Sequence, residues 1–239
     1  MKVKLTPLSF ISFFCLVFLV HEIHDWAHFL TAASFCGCLG NRGFDSWTPC
    51  ILCNSSTGEL ALATLAGPLV NYLLLWGGWM MMHPDHPPEK QSLGYCMVFA
   101  ALPFPRILAA FAGGGDETWA LRQLFQHPNG SNHHFIAGAG LVVVLGLCLP
   151  PLIRAFMLVA GWVQRIIWFL LFLVAPGMVD HWLVGGELNK LRADGFLDRQ
   201  VLRGGAQLIV FVWLAVVLVF YLITMKSQQS VLEYKEASL

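Results

Sequence analysis

The sequence predicts an all-α fold, a polytopic membrane helix bundle of about six transmembrane helices forming one domain over residues 1–239. Three observations lead there. Hydrophobic residues make up 57% of the chain and charged residues 12%, against roughly 45–50% and about 25% in soluble domains. The apolar residues gather in long runs, and a helix needs about 20 predominantly apolar residues to cross hydrocarbon. Those runs lack the alternation of a membrane barrel, so their backbone amides can be satisfied in lipid only within helices.

The first run covers residues 8–30, beginning at Leu8 and passing through a histidine-rich stretch. Its lead, Met1-Lys2-Val3-Lys4, also fits a secretory signal peptide. The run meets ionisable residues rather than a small-residue cleavage site, which favours a retained helix. The second and third runs are 60–82 and 93–112. The fourth, 135–149, is expected to stop at Pro150-Pro151, where an amide is missing and the ring clashes with the preceding turn. The fifth follows over 155–174 and the sixth over 206–225. No internal repeat or linker divides the chain. With 14 basic and 14 acidic residues, no electrostatic footprint points to nucleic acid. The lipid bilayer is the partner that composition implies.

Chemistry concentrates in His21-Glu22-Ile23-His24-Asp25-Trp26-Ala27-His28. At about 100° per residue, His21, His24, Asp25 and His28 fall within an arc of roughly 100° on one helix face. Histidines at i and i+4 can converge on one ion, and a carboxylate beside the first can deprotonate water. The plainer reading has these histidines snorkelling to the headgroups or bonding to their neighbours. Ionisable groups at membrane depth are functional by default, and four on one face favour a metal site. Glutamate is usual where this chain has Asp25, which is one methylene shorter. Glu22 is a weaker substitute base.

A second segment, Leu65-Ala66-Gly67-Pro68-Leu69-Val70-Asn71-Tyr72, reads alone as small-residue helix packing. Paired with His-x-x-x-His in the preceding helix, this Ala-Gly-Pro-x-x-Asn resembles the site-2 protease family of intramembrane zinc metalloproteases. The resemblance covers the chain to about Glu117. It implies Zn2+ held by His24, His28 and an aspartate from a later helix, with Asp25 activating water and Asn71 near the active site. It also implies a transmembrane or membrane-proximal peptide as substrate. The family's third ligand follows a Pro-x-Pro segment. Here Leu102-Pro103-Phe104-Pro105-Arg106 precedes Gly113-Gly114-Gly115-Asp116-Glu117, which puts Asp116 first, with Glu117, Asp180 and His181 as alternatives. The competing reading makes Asp116 an ordinary helix N-cap.

Cys36, Cys38, Cys50 and Cys53 follow as Cys-x-Cys and Cys-x-x-Cys. Their spacing suits a structural zinc knuckle or free thiols in a reducing compartment, and two disulfides in an oxidising one. Cys15, Cys96 and Cys148 lie in apolar helices as packing residues. Charge bias is nearly balanced between the two ends. The basic group Lys190, Arg192, Arg199 and Arg203 ahead of the sixth helix assigns the histidine-bearing end to the cytoplasm.

These observations favour a membrane-embedded zinc metallopeptidase. One alternative is a catalytically inactive metal-binding membrane protein of the same fold, with a regulatory or binding role. A di-iron oxygenase is a third reading, prompted by nine histidines. It needs several histidine boxes, and the closest second one is Asn132-His133-His134, with Gly130 where another histidine should stand. His83 and His86 read as part of a polar connection.

Overall fold

In the computed structural model, residues 1–125, 133–197, 199 and 207–233 are described. Gly130, Asn132, Arg203 and Ala206 lie outside them. A two-residue strand β1 (Lys2–Val3) pairs antiparallel with β4 (Leu232–Glu233), and among the described residues the regular elements between them are helices apart from one small hairpin. Six helical spans are long and apolar enough to cross a membrane: Pro7–Cys36, Thr57–Met81, Pro88–Phe111, His133–Leu158, Trp162–Ala193 and Leu208–Ser230.

Local signals decide where each helix begins and stops. Helix α1 (Pro7–Cys36) opens on a capping box in which Thr6 and Ser9 each accept from the other's amide, with Pro7 in the first turn. It ends at Gly37, which adopts φ 67° and donates its amide to Ala33. After the hairpin of β2 (Asn41–Arg42) and β3 (Trp47–Thr48), helix α2 (Thr57–Met81) opens on a second capping box, Ser56 with Glu59. These two helices form the centre of the bundle. α2 packs against α1, α3 (Pro88–Ala100), α5 (Asp116–Leu124) and α6 (His133–Leu158), while α1 also packs against α9 (Leu208–Thr224).

The third span is two helices, α3 and α4 (Pro103–Phe111), broken at Leu102. A residue preceding proline avoids the helical region, and Leu102 turns instead to φ 53°. The Ala101 carbonyl would pair with the amide of residue 105, which is a proline. Asn71 Nδ2 supplies the missing donor at 3.0 Å, so this buried side chain caps a helix end within the span.

The expected stop at Pro150-Pro151 does not occur, since α6 continues through both prolines to Leu158. Membrane helices tolerate proline when a neighbour satisfies the freed carbonyl. Leu147 loses its partner at Pro151, and Trp76 Nε1 on α2 donates to its carbonyl at 3.1 Å. Trp76→Phe should therefore destabilise the fold by about 1–3 kcal/mol, the range for stranding a buried polar group, as measured by unfolding in mixed micelles. An unchanged midpoint would refute this account.

The fifth span is displaced relative to expectation. Ala155 belongs to α6, and the next helix, α7 (Trp162–Asp180), starts after Gly161 at φ 82°. It runs on through a π-helical stretch, His181–Leu188, into α8 (Asn189–Ala193). Asp180 and His181 thus sit within a continuous helix.

The loop between α1 and α2 corrects the knuckle reading. Cys36 is bonded to Cys53 and Cys38 to Cys50. Four sulfurs paired as two disulfides cannot surround a metal, so covalent bonds staple this loop. Cys15, Cys96 and Cys148 are free and buried, as packing residues would be.

Candidate metal centre

The face of α1 predicted to carry chemistry looks onto α2, and Gly67 makes the approach close enough. A methyl group at Gly67 would collide with the imidazoles of both His24 and His28. That explains glycine at this position more directly than conformational freedom does.

His24 Nε2 lies 3.0 Å from His28 Nε2. Asp116 Oδ2 lies 3.5 Å from the first and 3.7 Å from the second. Ligand atoms about 2.0–2.1 Å from a tetrahedral ion are about 3.3 Å apart, so the three atoms mark one face of such a polyhedron. Among the described residues this is the one group in which three histidine, cysteine or carboxylate ligand atoms converge. The chemistry of the donors fits as well. His28 Nδ1 is 2.8 Å from the Ala63 carbonyl, an acceptor, so Nδ1 carries the proton and Nε2 faces the cluster with its lone pair. Trp47 of the stapled loop stacks on the His28 ring with centroids 5.3 Å apart.

Asp116 opens α5, but it does not act as the cap. Gly115 holds that position, and the Asp116 carboxylate turns to the histidines. Burial would push its carboxyl up. The imidazoles of His24 and His28 and the Arg106 guanidinium, all close to it, outweigh burial and hold it well below the usual carboxylate range. It therefore stands ionised, the form a ligand requires.

The other predicted residues separate into those that share the cavity and those that do not. A cavity of about 330 Å³ is lined by the triad and by His21, Asp25, Asp45, Asn71, Arg106, Glu117 and Asp180. Asp25 is 5% exposed, and its Oδ2 has no hydrogen-bond partner. Asn71 is engaged at the helix break, and its Oδ1 is unpartnered. Glu117 is no ligand. Its Oε1 accepts from Tyr72 at 2.6 Å and from Arg106 at 3.0 Å. Asp180 lies against His21 Nδ1 at 2.8 Å, and His181 is exposed outside the cavity. Glu22 points away into a buried pair with Arg42, which removes it as a substitute base. His83 and His86 lie in the turn beyond the far end of α2, and among the described residues no second histidine cluster of the kind paired irons need is present.

Two contributors, Trp47 and Arg106, were not foreseen from sequence, and His21, which helical spacing puts on this face, takes partners that spacing does not give. His21 is clamped, with Nδ1 against Asp180 and Nε2 3.0 Å from the Phe44 carbonyl. Both partners only accept, so the ring donates from both nitrogens. Trp47 arrives from a loop whose path no pattern specified. Arg106 did have a signal, since a cation inside an apolar run is rare unless it serves a site. It donates to His24 Nδ1 at 2.9 Å.

Fold and site together define a class: a multi-pass helical membrane protein carrying a His-His-Asp group that can hold a metal ion. No protein-family model, curated protein or solved structure matches the chain.

Proposed function

We propose that the chain is a membrane-embedded zinc metallopeptidase, resembling the site-2 protease family, that hydrolyses a transmembrane or membrane-proximal peptide bond. The observation that carries this reading is the convergence of His24, His28 and Asp116 at tetrahedral spacing in one cavity that the Asp25 carboxylate also lines. The histidines lie eight to twelve residues before the end of α1, about 12–18 Å along the axis, so the group is embedded in the bundle.

A zinc ion held there would supply Lewis acidity, polarising a carbonyl and acidifying water. Asp25 lines the same cavity, and in this reading it takes the proton from the attacking water and returns it to the leaving amine. His21 flanks Asp25, with Nε2 3.6 Å from Oδ2, and fixes that wall of the cavity through Asp180.

The test is zinc content together with cleavage of quenched-fluorophore transmembrane peptides in proteoliposomes, wild type against Asp25→Asn. The variant should keep its zinc and lose roughly 10²- to 10⁴-fold in rate, the usual contribution of a general base. Wild type with zinc but no cleavage would favour the inactive metal-binding alternative. Wild type without zinc would end both.

The two disulfides favour the opposite sidedness to the one that charge suggests, because such bonds persist in oxidising compartments. We place the site-bearing end away from the cytoplasm. An impermeant maleimide should label exposed Asp194→Cys in intact cells, and labelling only after lysis would overturn the assignment.

A further inference from the structure

Arg106 is the one arginine or lysine among the residues lining the cavity. It enters on α4, four residues past the break at Leu102, within an otherwise apolar span. A guanidinium there is expensive and needs a use. Its donors divide unevenly. Nη1 is committed, 3.0 Å from Glu117 Oε1 and 3.7 Å from Asp116 Oδ2. Glu117 is itself fixed by the Tyr72 hydroxyl at 2.6 Å, so that edge of the fork is anchored. Nη2 donates to His24 Nδ1 at 2.9 Å, and Nε is buried without a partner.

Nε and Nη2 share one edge of the planar guanidinium, the edge that grips an oxyanion bidentately. The Nη2 contact is also conditional. Once His24 Nε2 is a ligand, its Nδ1 must carry the ring proton and donate. Two donors then face one another, and Nη2 loses its acceptor. Both hydrogens of that edge become available beside the triad, while Glu117 and Tyr72 keep the group in place.

Charge points the same way. Five carboxylates, Asp25, Asp45, Asp116, Glu117 and Asp180, line the cavity against one guanidinium, and a divalent ion would offset part of that excess. A negative charge developing on a carbonyl oxygen would then be met by a group that is already positioned, the arrangement that stabilises transition states best.

We propose that Arg106 is a catalytic residue that binds the carbonyl oxygen of the scissile peptide through its Nε/Nη2 edge as negative charge develops there. This rests on the metallopeptidase reading. The stable tetrahedral probe is a phosphinic dipeptide, which places an anionic oxygen pair where the charge would form.

The experiment uses the full chain in detergent micelles, loaded with zinc, and measures zinc content and phosphinate affinity by titration calorimetry for wild type, Arg106→Gln and Arg106→Lys. Both variants should retain zinc. Phosphinate affinity should fall about 10²- to 10³-fold in Arg106→Gln, the usual effect of losing an oxyanion donor, and by less in Arg106→Lys, which keeps the charge but not the fork. Unchanged affinity in a zinc-loaded Arg106→Gln would overturn the proposal while sparing the parent reading. Zinc lost from both variants would also overturn it, because Arg106 would then serve the ligands. Wild type that binds zinc but not the phosphinate counts against it too, whereas wild type that binds no zinc removes the parent reading itself.

Discussion

His28→Ala should reduce the metal content of the purified protein from about one ion per chain to background, because two protein ligands are too few for a closed site. His28 is 2% exposed, and its ring is held on both sides, by the Ala63 carbonyl and by Trp47. The affinity loss should exceed the 10- to 100-fold typical of removing an outer-shell partner. Gly67→Val should reach the same end from the opposite helix, since its side chain would occupy the space of both imidazoles. Gly146→Ala is the control, as a Cβ there meets nothing within 4 Å. Elemental analysis decides the matter: metal retained in both His28→Ala and Gly67→Val would refute the site, whereas loss in both with Gly146→Ala intact would establish it.

Arg42→Met should be among the most destabilising single substitutions, at about 3–5 kcal/mol, because it leaves a buried carboxylate without its counter-charge. Arg42 is 0% exposed and Glu22 1%. The guanidinium bonds to the Glu22 side chain and also lies over the Trp26 ring at 4.5 Å. Through this pair the stapled loop is tied to α1 one residue from His21. The double variant Arg42→Met/Glu22→Leu should recover most of the loss, since replacing both ions by apolar groups is often neutral. Unfolding in mixed micelles followed by circular dichroism gives both values. A single-variant loss below about 1 kcal/mol would show that the pair is solvated after all.

Much of the bundle was legible in the residues. Six apolar runs announce six spans, because hydrocarbon leaves a backbone no alternative to internal hydrogen bonds. His21, His24, Asp25 and His28 share a face by helical arithmetic alone, whatever packs against it. The errors fell where a freed backbone group found a distant partner. Pro150 and Pro151 should end a helix, but Trp76, more than seventy residues earlier, supplies a donor that lets α6 continue. The resemblance puts Asn71 near the active site, and the structure shows it capping a helix broken by prolines thirty residues away.

The site divides in the same way. Spacing along α1 determined that His24 and His28 can share a ligand, since both lie on one rigid element. Nothing local could determine that Asp116 joins them, that Glu22 turns to Arg42, or that Arg106 reaches His24 across 82 positions. Those pairings depend on how α1, α2, α4 and α5 dock, and docking follows from small contacts such as the bare Cα of Gly67. Cysteine spacing likewise favours zinc or free thiols while allowing disulfides, and the fold of the loop decides for disulfides. Periodicity belongs to one helix and is written in its residues, whereas ligand sets and counter-charges belong to the spaces between helices, which only the tertiary structure creates.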